Sequence, residues 1–398
     1  MKKDIDVAFI LKSDMDIEIA TKIIKYAWLN GICIIVFPPN ADNKKLEQEL
    51  KKHITNYIYI DKADFEDSLS SIGYHWQENE VAFILYSSGS TGKPKAICHS
   101  HQNILRSVNF FTEAFNIKYG ESILCLADIS TMSGFRSLVI KAFYNIDIFF
   151  IKNSIVNHLI EKQYDYIICG PSVIDYFINV KRLIGNRLSG TKILSTGSSL
   201  YYQKIQKYET LYDSTIYRYY GLTETCGIVM AENDKTVLSS DSLPPLIKDV
   251  SVRLYPYKEG SYKLCVKTPN LFLGYLGDKF SHVKSFYYTG DLVKVCNDEL
   301  IFIGRENRIF KTKDGSDFIF ADELEVFLKK SGAKDVFLDI FNKFSNNAQG
   351  LTCFIQGIEV NKVYKILTNS NYSSKLDSIE FKEVKIRRNF LGKIKGIR

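Results

Sequence analysis

An α/β fold, built on a large domain of mainly parallel sheets flanked by helices, follows from three features of the chain. Short apolar runs alternate with polar, helix-periodic stretches from residue 4 onward, and two of those runs end in loops of small residues. From about residue 246 the runs shorten, become rich in Tyr and Val, and are separated by Gly, Pro and Asn. The alternation predicts right-handed β-α-β crossovers. The later pattern predicts a β-rich subdomain over about 246–303, and 398 residues are too many for one ordinary core.

Taken in order, Val7-Ala8-Phe9-Ile10-Leu11 reads as a buried strand, 16–29 as an amphipathic helix and 32–37 as the next strand. Pro38-Pro39-Asn40 closes that strand; 44–53 is helical and 57–60 extended. Val81-Ala82-Phe83-Ile84-Leu85 is again a buried run. Beyond it, 102–115, 134–143 and 172–179 read as helices, and 122–126, 146–151, 166–169 and 192–195 as strands. Ligands of such open sheets sit at the carboxyl ends of strands. The small-residue loops 87–95 and 196–199 are placed there.

Composition narrows the function classes. The chain is 45% hydrophobic and 24% charged, an ordinary globular balance. Its net charge of +7 is spread along the chain without the dense basic run of a nucleic-acid tail, and suits anionic small molecules equally well. Eight cysteines show neither disulfide-scaffold spacing nor a Cys-x-x-Cys pattern, which predicts reduced thiols, a cytoplasmic location and no structural zinc. No apolar run approaches the ~20 residues that cross a bilayer, so no membrane role is expected.

The most informative stretch is Tyr86-Ser87-Ser88-Gly89-Ser90-Thr91-Gly92-Lys93-Pro94-Lys95. Its glycines let backbone approach a ligand, its hydroxyls and N–H groups suit phosphate oxygens, and its lysines add positive charge. A Walker A loop is excluded, because Ser87 stands where the first Gly belongs and Pro94 follows the Lys. Tyr219-Tyr220-Gly221-Leu222-Thr223-Glu224-Thr225 offers a purine-stacking ring, a phosphate-binding hydroxyl and a carboxylate suited to Mg²⁺. Tyr287-Tyr288-Thr289-Gly290-Asp291 adds a carboxylate suited to ribose hydroxyls, with Gly304-Arg305 following.

Together with His101-Gln102-Asn103 and the terminal Arg387-Arg388-Asn389-Phe390-Leu391-Gly392-Lys393-Ile394-Lys395, these motifs resemble, in order, the adenylate-forming superfamily: acyl-CoA synthetases, peptide-synthetase adenylation domains and luciferase. The resemblance implies a large domain over 1–305, with an abbreviated start, and a small mobile α+β lid over 306–398. Asn307 falls at the family's hinge, where Asp or Lys is usual. It implies ATP and Mg²⁺, with Ser87, Ser88, Gly89, Ser90, Thr91, Gly92, Lys93, Lys95, Thr196, Gly197, Ser198, Tyr220, Gly221, Thr223, Asp291 and Arg305 holding the nucleotide. Glu224 would hold the metal. Lys393 would bridge the carboxylate and the α-phosphate, beside Thr223 and Glu224 in the chemistry. Asp128, Met132, Phe135 and Gly170 would border the acid, Asp128 either binding a substrate ammonium or else capping the helix that starts near Ser133 or simply facing solvent.

The implied activity is AMP-forming ligation of a small carboxylic acid to a thiol. A stand-alone ligase for an amino acid or other small acid, serving an acyl or peptidyl carrier protein through its phosphopantetheine, is favoured, with an aryl or short-chain acyl-CoA ligase as alternative. The hairpin after the hinge, Lys311-Thr312-Lys313-Asp314-Gly315 before Glu323-Leu324-Glu325, is of altered length, which leaves the acceptor open. From another class, the chain would be a catalytically degenerate nucleotide-binding partner. The presence of Lys393, Glu224 and Asp291 argues against that.

Overall fold

The computed structural model describes residues 5–39, 42–60, 73–87, 94–151, 154–278, 285–313, 317–343, 349–388 and 394–397. By packing, the chain divides into two compact units, residues 1–252 with 266–287, and 253–265 with 288–398. Of the β-rich stretch, 253–265 and 288–303 therefore pack with the C-terminal residues and 266–287 with the first unit, whereas the resemblance puts its hinge near 305.

The first unit holds two six-stranded sheets. One runs Gly274–Tyr275, Lys95–Ser100, Val81–Ser87, Cys33–Phe37, Ile5–Lys12, Ile54–Tyr59. Its last four strands are mutually parallel. The apolar runs predicted them because both faces are covered: every residue from Val81 to Leu85 is buried, and Val81, Phe83, Ile84 and Leu85 contribute about 1.5–3 kcal/mol each. Lys95–Ser100 was not anticipated as a strand. It pairs antiparallel with Val81–Ser87, Ser87 opposite Lys95, so the chain doubles back across the phosphate-loop motif. Ser88, Gly89, Ser90, Thr91, Gly92 and Lys93 lie outside the described residues.

The second sheet runs Met230–Ala231, Thr215–Tyr220, Lys192–Ser195, Tyr166–Cys169, Ser122–Cys125, Asp147–Phe150, with all pairings parallel except the first. The carboxyl ends of Tyr166–Cys169, Lys192–Ser195 and Thr215–Tyr220 are thus neighbours on one edge. Helix starts follow local chemistry. Asp16 accepts from the amides of Glu18 and Ile19 to open Ile17–Leu29, and Ser100 and Asn103 form a reciprocal capping box for His101–Ala114, each cap contributing about 1 kcal/mol. Three helices of this unit, Ile155–Glu161, the short Lys181–Ile184 and Tyr202–Leu211, went unread in the sequence.

The second unit contains the four-stranded sheet Ser251–Pro256, Tyr262–Lys267, Tyr287–Cys296, Glu299–Arg305, and a three-stranded sheet Asp335–Lys343, Gln349–Gln356, Ile379–Glu383. Helices Ala321–Lys330 and Val360–Thr368 cover the latter around Leu324, Leu338, Ile355 and Leu367. The C-terminal strands Ile386–Arg388 and Ile394–Ile397 pair antiparallel. Lys393, between them, lies outside the described residues. Among the described residues, no helix is long and apolar enough to cross a membrane. All eight cysteines are free thiols.

Candidate active site

Tyr220 ends its strand and the chain folds immediately into a tight turn. The Gly227 amide donates to the Leu222 carbonyl at 2.9 Å, and that of Cys226 to the Thr223 carbonyl at 3.0 Å. A Cβ at Gly221 would lie 1.6 Å from the Gly227 carbonyl oxygen, so only glycine permits the two backbone segments to touch. Thr225, fully buried, accepts through Oγ1 from the Leu222 amide at 3.0 Å and clamps the turn from inside.

The turn presents Glu224. Its backbone carbonyl accepts from Phe272 N–H at 2.8 Å, and its Oε1 from the Tyr275 hydroxyl at 3.2 Å. The Tyr287 hydroxyl lies 3.3 Å from the same Tyr275 oxygen. The Lys95 ammonium sits 4.9 Å from the Tyr275 ring centroid. One aromatic side chain therefore gathers a cation from the end of the phosphate-loop motif and the carboxylate proposed for metal. Burial raises the Tyr275 phenol, keeping it a proton donor to Glu224.

Behind the turn, His99 Nε2 lies 2.8 Å from the Thr223 carbonyl oxygen and donates to it. Desolvation lowers the imidazole to about 3, outweighing that bond, so the ring is neutral. The Ser107 hydroxyl donates to the Cys226 carbonyl.

Along the neighbouring strand ends, the Thr196 amide donates to the Cys169 carbonyl at 3.1 Å, bringing the loop of Thr196, Gly197 and Ser198 beside Gly170. Gly197 takes φ +93°, where glycine is favoured, and with Ser198 it is exposed. Gly170 is buried and opens helix Pro171–Asn179. Helix Met132–Phe143 carries Met132 and Phe135. Phe135 is fully buried and stacked on Phe83, ring centroids 4.6 Å apart, so it belongs to the packed interior. Asp128 accepts through Oδ1 from both the amide (2.8 Å) and the hydroxyl (2.6 Å) of Ser130, while Thr131 is the helix cap. An ammonium ligand would have to use its second oxygen.

In the second unit, Asp291 and Arg305 face each other across an antiparallel ladder, Arg305 Nε 3.0 Å from Asp291 Oδ1. The Asp291 side chain is 2% exposed and that of Arg305 48%. Thr289 accepts from the Asp291 amide and donates to the Leu264 carbonyl, fixing the strand around Gly290 at φ +79°. Sequence reasoning missed Tyr275, Tyr287 and His99. Their partners lie 12 to 124 positions away, and no local pattern marks such contacts.

Among the described residues, no group of three or more His, Cys, Asp or Glu could hold a metal ion. A single carboxylate fits Mg²⁺ that takes its other ligands from phosphate and water, which is how that ion is commonly held with nucleotides. Glu224 meets this requirement.

A family model described as "AMP-binding enzyme" matches residues 23–276. The 2-succinylbenzoate–CoA ligase of Staphylococcus epidermidis is 23% identical over 285 residues, covering 70% of this chain and 58% of that protein. The D-alanine–D-alanyl carrier protein ligase of the same species is 26% identical over 314 residues, covering 73% and 62%. The chain thus spans about three-fifths of these curated relatives' length. Among solved structures, ATP-bound MatB from Rhodopseudomonas palustris superposes with TM-score 0.80 at 16% identity, covering 99% of this chain and 88% of that one. That likeness concerns the fold. With the family model spanning well over half of its residues, the chain belongs to the AMP-binding, adenylate-forming enzyme family.

Proposed function

We propose that this chain activates a small carboxylic acid with ATP, forming an acyl-adenylate and pyrophosphate, and passes the acyl group to a thiol. The observation that carries this reading is the Lys95–Tyr275–Glu224 arrangement, which holds a phosphate-seeking cation and a magnesium-seeking carboxylate on one aromatic ring. The carboxylate attacks the α-phosphorus and pyrophosphate departs. Positioning and charge stabilisation are the protein's share. Thr223 and the hydroxyl-rich loop 87–95 bind phosphate oxygens, and Tyr220 stacks on the adenine. Mg²⁺ held by Glu224 would neutralise phosphate charge. In the second unit, Asp291 accepts from ribose hydroxyls with Arg305 beside it. Lys393 supplies positive charge to the reacting oxygens, and residues 306–398 form the lid that bears it.

The relatives include a ligase whose name specifies CoA and one whose name specifies a carrier protein. Both acceptors are thiols, as CoA or as carrier-borne phosphopantetheine, and the carrier is the one we favour. The cytoplasm, where nucleotide and reduced thiols are abundant, is the proposed location.

Acid-dependent ATP–pyrophosphate exchange tests the reading. Lys393→Ala should bind ATP and lose exchange. ATP binding without exchange by the unmodified protein, over a panel of amino, aryl, hydroxy and aliphatic acids, would instead favour a nucleotide-binding protein without ligase activity.

A further inference from the structure

A glutamate that is free to rotate loses side-chain entropy when it takes up a cation, so its affinity depends on what fixes its pose beforehand. Glu224 is held at both ends. Its backbone carbonyl accepts from the Phe272 amide at 2.8 Å, its Oε1 accepts from the Tyr275 hydroxyl at 3.2 Å, and the Tyr287 hydroxyl stands 3.3 Å from that phenol oxygen. All four residues belong to the first unit.

The order of donors follows from valence. An ionised carboxylate only accepts, so the single hydrogen of the Tyr275 phenol goes to Glu224. Tyr287 is therefore the donor to Tyr275. A hydroxyl that accepts a hydrogen bond becomes a stronger donor. Tyr287 thus strengthens, through Tyr275, the bond that orients Glu224.

The two rings are placed by the sheet and by packing. Tyr275 lies opposite Ile97 on the antiparallel pair with Lys95–Ser100, flanked by amide bonds from Leu273 to the Cys98 carbonyl (2.9 Å) and from Leu276 to the Ala96 carbonyl (3.0 Å). Phe272 is buried and meets both rings edge-on, its centroid 5.0 Å from that of Tyr275 and 5.3 Å from that of Tyr287, at interplanar angles of 66° and 77°. Aromatic quadrupoles favour such edge contacts. Glu224, Tyr275 and Tyr287 each keep partial exposure, so the group is open to solvent and not sealed in the core.

Resting on the adenylation reading for its cation, we infer that Tyr287 is a positioning residue for metal-bound ATP: with Tyr275 it forms a two-phenol relay that fixes the Glu224 carboxylate before Mg²⁺ binds. Hydrogen bonds of this kind to a ligating carboxylate govern metal affinity without contacting the metal.

The test is calorimetric titration of ATP, once with Mg²⁺ and once with the metal chelated, on the unmodified protein, Tyr275→Phe, Tyr287→Phe and the double variant. Both substitutions keep the rings that pack on Phe272. Mg²⁺ should tighten ATP binding by the unmodified protein. Of that metal-dependent affinity, Tyr275→Phe should lose about tenfold and Tyr287→Phe about threefold, with metal-free ATP binding kept within about twofold. Because Tyr287 acts through Tyr275, the double variant should lose about tenfold, as Tyr275→Phe does, where independent effects would multiply to about thirtyfold. This pattern in a protein silent in acid-dependent ATP–pyrophosphate exchange would uphold Tyr287 and remove the adenylation reading. Multiplying losses, an unchanged metal-dependent affinity in Tyr287→Phe, or ATP binding by the unmodified protein that is indifferent to Mg²⁺ would each overturn the inference. So would an equal loss with and without metal, since that marks a structural phenol.

Discussion

His99 lies flat on Phe83, ring centroids 4.8 Å apart, and bonds the carbonyl of Thr223 from 124 positions upstream. This contact ties the strand that follows the phosphate-loop motif to the turn that presents Glu224. His99→Phe should preserve the stacking and leave the Thr223 carbonyl short of a donor, costing about 1–3 kcal/mol. Because the folded imidazole titrates near 3 against 6.5 ordinarily, its contribution is present above pH 6.5 and is lost as pH falls toward 3. Denaturant unfolding across that window should show a steeper acid decline for the parent than for His99→Phe. Parallel curves would mean that His99 keeps an ordinary pKa.

Tyr275→Phe separates the two contacts of one ring. The ring face over Lys95 remains, while the hydroxyl that donates to Glu224 is removed. A hydrogen bond to a charged group contributes about 1.5–3 kcal/mol, so the apparent Mg²⁺ requirement in pyrophosphate exchange should change by about tenfold with little effect on folding. An unaltered Mg²⁺ titration would take Tyr275 out of the metal site.

Much of this architecture was legible because burial on both faces leaves its mark on local sequence. Val81–Leu85 and Cys33–Phe37 are unbroken apolar runs, and both are central strands. Lys95–Ser100 lacks that mark: it begins Lys-Ala and contains His99 and Ser100, whose burial depends on Thr223 and Asn103. Glu224 could be nominated from the sequence, since its neighbours Gly221 and Thr223 are adjacent in the chain. The residues that orient it could not. Tyr275 is 51 positions away and Phe272, which anchors its backbone, is 48.

The second unit has its own pH-sensitive contact. Arg308 is held by Asp322 at 2.6 Å and by Glu325, whose Oε1 also accepts from the Leu338 amide at 2.8 Å. Burial outweighs the pull of Arg308 and raises the Glu325 carboxyl from 4.5 to about 7. A raised acid stabilises the fold fully below pH 4.5, and its contribution is lost as pH rises through about 7. Glu325→Gln, neutral throughout, should unfold with a weaker pH dependence over that interval. If parent and variant decline together, the Arg308 pair keeps Glu325 ionised.

Gly221→Ala isolates the turn from the chemistry of its side chains. Gly221 needs no unusual φ; what excludes a side chain is the Gly227 carbonyl, 1.6 Å from where a Cβ would stand. Relief would require the two backbone segments to separate. That would disturb the amide bonds of Cys226 and Gly227, the Thr225 clamp and the left-handed Cys226 at φ 54°. A loss of about 3 kcal/mol or more is expected, together with loss of ATP-dependent thermal stabilisation even under conditions where the variant remains folded. Ser198→Ala, on an exposed loop beside the same sheet edge, is the control for fold stability alone, since Ser198 is itself expected to hold nucleotide, and should change stability without ATP by less than about 0.5 kcal/mol. If Gly221→Ala were equally mild and still bound ATP, the close backbone contact would not be what positions Glu224.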